Sequence, residues 1–141
     1  ACLNGNNPTQ PPATLTPCVG GEVISFTAGT KQDGSGLDAG NDPNQALGDV
    51  TDPNNPANAV SLGFGGEIVI KYDYALFNVS GDDISVIEYS PEFDCAINQE
   101  KARVFASKDG NNWVLLGEGC MDGNYDLGTL SAIFQDCRYQ Q

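Results

Sequence analysis

No stretch of this chain longer than a few residues repeats its apolar side chains with the 3.6-residue period of a helix. The apolar residues fall instead in short runs of β-branched and aromatic side chains, each ended by Gly, Pro, Asn or Asp. Such runs suit a pleated, half-buried surface, and the turn residues between them fold one run back on the next. The pattern predicts an all-β fold, an antiparallel β-sandwich, with at most a helical turn near Asn44 to Leu47 or Leu127 to Ser131. A chain of 141 residues, 40% of them hydrophobic, has the size of one domain and enough apolar surface to bury a core.

The stretch from Ser61 to Glu88 organises the rest. Glu67-Ile68-Val69-Ile70-Lys71-Tyr72 and Asp83-Ile84-Ser85-Val86-Ile87-Glu88 both read as strands. With the apolar segment and turn between them they read as a hairpin-like unit, with Asp82 and Asp83 at the mouth of its second strand. A first strand, Glu22 to Thr27, precedes it. Lys101 to Ser107 and Trp113 to Gly117, joined by the turn Lys108-Asp109-Gly110-Asn111-Asn112, form the strongest hairpin signal in the chain. Asp122, Asn124 and Asp126 have the i, i+2, i+4 spacing of calcium-loop ligands. Glycines at the second and seventh positions and no Glu at the twelfth argue instead for an Asp-Gly turn. Ile133 to Gln141 reads as a last short strand.

Residues 1–20 contain Pro8, Pro11, Pro12 and Pro17, which exclude a helix and a central strand, so they are expected to form an extended arm ahead of a sandwich domain at 21–141. The opening Ala1-Cys2 reads as an N-terminus left by processing, which fits a secreted, extracellular protein. Cys2, Cys18, Cys95, Cys120 and Cys137 fit an oxidising compartment, and none of their spacings is that of a zinc site. Their odd number leaves either a free thiol or a bridge to another chain.

Six Lys and Arg stand against 19 Asp and Glu, a net charge of −13, which opposes nucleic-acid phosphate. No apolar run approaches the length that spans a bilayer. The absence of histidine removes Ser-His, Cys-His and His-metal chemistry, and no carboxylate pair stands out as a glycosidase would require, so the reading is of a protein that is not an enzyme. The passage Gly29 to Asn58 is long for a connection without regular structure, and such loops are usually functional or pinned. A bound calcium ion is the expected pin, with Asp38, Asn41, Asp42, Asn44, Asp49 and Asp52 as oxygen donors. Asn78-Val79-Ser80 has the form of an N-glycosylation acceptor. Tyr72, Tyr74, Tyr89, Trp113 and Tyr125 are candidates for stacking on sugar rings, although alternation sends about half of such residues inward. Trp113, directly after its turn, is expected to anchor the core.

The ordered series EVISFTAGT, DPNQALGD, SLGFGGEIVIKYD, NVSGDDISVIEYS, ARVFASKDGNNWVLLG and DLGTL resembles bacterial secreted and cell-surface jelly-roll domains of the discoidin and galactose-binding type. The resemblance covers about Glu22 to Tyr139 and implies a jelly-roll sandwich. In that family the chain continues beyond the last strand into a segment that completes the sheet. Here the sequence stops at Gln141, so the expectation is an open groove filled by a neighbouring subunit's arm. Asp82, Asp83 and Glu88 coincide with the family's acidic strand motif. With Asp38 and Asp42 they make the expected metal site. The function expected is a non-catalytic extracellular structural or adhesion module, calcium-stabilised, self-associating into a cell-surface fibre by strand or arm exchange. A carbohydrate-binding module is the first alternative and a secreted hydrolase the second.

Overall fold

The computed structural model describes residues 20–48, 52, 55, 59–76, 78–89, 101–120, 122–128 and 134–140. The Pro-rich arm expected at 1–20 lies, apart from Gly20, outside the described residues, as do Cys2, Cys18, Cys95 and the connection at 90–100. Among the described residues seven strands follow one another: β1 (Gly20–Thr27), β2 (Glu67–Leu76), β3 (Ile84–Val86), β4 (Ala102–Ser107), β5 (Trp113–Gly119), β6 (Gly123–Tyr125) and β7 (Phe134–Gln140). All pairings are antiparallel. Among the described residues the single helical element is a 3-10 turn, Pro43–Ala46, where a turn was expected.

Five strands form one sheet in the order β1-β2-β7-β4-β5, and β3 pairs with β6 in a second, two-stranded sheet. β2 lies inside the large sheet because its Ile68, Val69 and Ile70 are buried in succession. Neighbouring residues of a strand point to opposite faces, so this run shelters both faces of β2. The 4–5 hairpin forms as expected, with a register shift between Val104 and Phe105.

The structure corrects two local expectations. The Ser61 to Glu88 unit is not a hairpin: β2 and β3 belong to different sheets. After Leu76 the chain leaves the large sheet and turns at Gly81, whose φ of 102° suits a residue without Cβ. Gly123 to Tyr125, expected within an Asp-Gly turn, is strand β6, in register with β3 through Ile84 opposite Tyr125 and Ser85 opposite Asn124. That pairing is reinforced by the Ser85 hydroxyl, which donates to Asn124 Oδ1 at 2.7 Å.

The two sheets meet at one apolar cluster. Leu76 of β2 and Ala106 of β4 pack with Ile84 of β3 and with Leu127, and Tyr72, Val86, Leu116 and Tyr125 close round them. Gly117 is part of this contact, since a Cβ there would stand 2.8 Å from Cε1 of Tyr125. The bare backbone of β5 therefore admits the ring. Fully burying a Leu or Ile contributes about 1.5–3 kcal/mol, so Leu76, Ile84 and Leu127 bind the two sheets to one another.

Candidate functional site

The passage after β1 is held by hydrogen bonds at several points. Thr30 and Phe64 exchange backbone bonds at 3.2 and 2.8 Å, and the Gly29 amide donates to the Leu62 carbonyl at 2.8 Å. Asn41 adds a longer tie: its Nδ2 donates to the Ser61 carbonyl at 2.7 Å, and its Oδ1 accepts the Ser61 amide at 2.9 Å. A side-chain amide thus acts as one residue of a β-ladder.

The acids expected to bind a metal are placed separately. Asp38 accepts from the Lys31 ammonium at 2.6 Å, on the surface. That hydrogen bond and its charge hold the Lys31 ammonium above its ordinary pKa. Asp42 caps the 3-10 turn, its Oδ1 accepting both the Asn44 amide at 3.0 Å and Asn44 Nδ2 at 2.9 Å. This is the work for which Asp precedes a helical turn. Asp82 is exposed at the turn before β3. Asp83 is half-buried and accepts two amides, that of Val79 in the preceding turn at 2.9 Å and that of Leu127, remote in sequence, at 3.0 Å. The Glu88 backbone amide donates to Asp122 Oδ1 at 2.7 Å. Among the described residues no three His, Cys, Asp or Glu side chains gather into a group able to hold a metal ion.

Asp83 is the acid whose role reaches furthest. Its two oxygens join the loop after β2 to the segment after β6, while its own amide donates to the Tyr125 carbonyl at 2.9 Å. The neighbouring Asn78 side chain donates to the Gly128 carbonyl across the same gap. The Asp-Asp pair visible in the sequence signals the turn but carries no sign of the partner 44 residues away.

The turn of the 4–5 hairpin is a second dense network. Asp109 Oδ1 accepts the Asn111 and Asn112 amides, both at 2.8 Å, and Oδ2 accepts Asn112 Nδ2 at 2.7 Å. The Asn112 backbone amide, followed by its side chain and the Asn111 amide, holds this carboxyl well below the ordinary carboxylate range. The buried Ser107 hydroxyl completes the turn, accepting the Gly110 amide at 3.0 Å. Asx geometry of this kind specifies a hairpin turn, so the network shapes β4 and β5.

The aromatic candidates divide. Tyr72 and Tyr125 pack against the apolar cluster, and burial pushes the Tyr125 hydroxyl pKa up. Trp113 is half-buried at the register position opposite Ser107, outside the cluster of buried residues. Tyr89 is 41% exposed. The Tyr74 side chain lies outside the described residues.

The large sheet ends in β1 on one side and β5 on the other. Among the described residues no further strand pairs with either. β1 exposes 52% of Ile24, the extra residue at a register irregularity between Val23 and Ser25. β5 exposes 39% of Val114 and 53% of Leu115. Cys120, directly after β5, is disulfide-bonded. No helix among the described residues is long and apolar enough to cross a membrane.

No family model, no curated protein and no solved structure matches this chain.

Proposed function

We propose that the protein is a non-catalytic extracellular structural module, a jelly-roll sandwich whose copies assemble into a cell-surface fibre by adding the β5 edge of one to the β1 edge of the next. The observation that carries this reading is the pair of sheet edges with exposed large apolar residues, Ile24 on β1 and Val114 with Leu115 on β5. Val114 and Leu115 are adjacent and so face opposite sides of the sheet. A layer over one face would cover only one of them, whereas a strand laid alongside β5 flanks both. Main-chain hydrogen bonds of an added strand supply the rest of the affinity. Neither strand carries Lys or Pro, so the bulges at Ile24 and Leu116 and the carboxylates of Glu22 and Glu118 are what an added strand must accommodate.

Joining β5 to β1 is a head-to-tail contact, and such contacts propagate into filaments when the rotation does not close a ring. The net charge of −13 repels copies from one another, so assembly should rise with ionic strength as that repulsion is screened. Electron microscopy and light scattering of the purified chain at low and high salt test the reading. Filaments or concentration-dependent oligomers are expected, and a protein that stays monomeric at every salt and concentration would sink it.

Calcium enters this reading as a stabiliser of the acidic loops. An ion at Asp38 or Asp42 would compete with Lys31 and Asn44 for the same oxygens. Thermal melts with and without chelator test it separately, because an ion bound by the native state alone raises the Tm by mass action. Unchanged melts remove calcium from the account and leave the assembly reading in place.

A further inference from the structure

No further inference is drawn: the strongest candidate, the exposed Ile87 and Tyr89 on the segment that continues β3 beside Asp122, is an unpartnered apolar patch, and nothing in the structure shows what covers it.

Discussion

The side chain of Asn41 meets the backbone of Ser61 at two points, donating to its carbonyl at 2.7 Å and accepting its amide at 2.9 Å. This one residue closes a twenty-residue excursion onto the entry to β2. A hydrogen bond contributes about 0.5–1.5 kcal/mol net, and this pair lies at the surface, so Asn41→Ala is expected to lose about 1–2 kcal/mol. Urea unfolding measures it. A midpoint unchanged from wild type would show that the loop is held elsewhere.

The loop's close backbone approaches make a second prediction. A Cβ on Gly66 would run into the Leu62 carbonyl oxygen, whereas at Gly65 it would meet nothing within 4 Å. Gly65 has a φ of 75°, so alanine there still carries a left-handed strain of about 1–2 kcal/mol. Gly66 has no such φ, but Gly66→Ala must shift backbone to clear the Leu62 carbonyl, and overpacking of that sort costs about 1–3 kcal/mol or more. Gly66→Ala should therefore be more destabilising than a neighbouring alanine would suggest, and the two variants' unfolding free energies compare the two effects directly. Equal losses would mean that the loop relaxes freely.

Most strands were legible because their signal is local. β1, β2, β3, β4 and β5 each carry β-branched or aromatic residues in short succession, β7 carries Phe134 and Tyr139, and the Lys108 to Asn112 turn announces its own hairpin. β6 was not, since Gly123-Asn124-Tyr125 has turn composition and becomes a strand only because β3 lies beside it. Asn41 was visible as an oxygen donor, yet nothing local distinguishes an amide that binds an ion from one that completes a ladder. Asp83 shows the same limit. Its Val79 partner is local, but the Leu127 amide is brought to it by the pairing of β3 with β6, which is a tertiary fact. The exposed edges likewise follow from strand order, which periodicity does not encode.

Asp83 supplies the third prediction. Hydrogen bonds to a charged acceptor contribute about 1.5–3 kcal/mol, and Asp83→Ala removes two of them from a half-buried position. We expect a loss of about 3 kcal/mol, the low end for two such bonds because the site is only half-buried, with faster hydrogen exchange at the Val79 and Leu127 amides than elsewhere. Asp83→Asn keeps one acceptor oxygen and should fall between. Uniform exchange across the small sheet would argue against a clamp.

Asp109 links the hairpin to pH. Its folded-state pKa lies below its ordinary value of 3.8, so its contribution to stability is complete above that value and is lost as pH falls toward the folded pKa. Asparagine at 109 cannot lose a charge. The Tm of wild type should therefore exceed that of Asp109→Asn at neutral pH, and the two should converge below about pH 4. Parallel curves through the acid range would show that the charge does not matter to the turn.

The assembly reading is tested most sharply by two edge variants used together. Leu115 is 53% and Ile24 52% exposed, so Leu115→Lys and Ile24→Lys should each cost only about 1 kcal/mol and leave the fold intact. If β5 of one copy pairs with β1 of the next, each variant alone spoils one half of every contact and should be monomeric by sedimentation. A mixture joins the intact β5 of Ile24→Lys to the intact β1 of Leu115→Lys, and should give one-to-one dimers that grow no further. If instead β5 pairs with its own copy across a two-fold axis, Ile24→Lys alone should still dimerise and mixing should add nothing. Wild-type assembly by both variants would remove the sheet edges from the mechanism altogether.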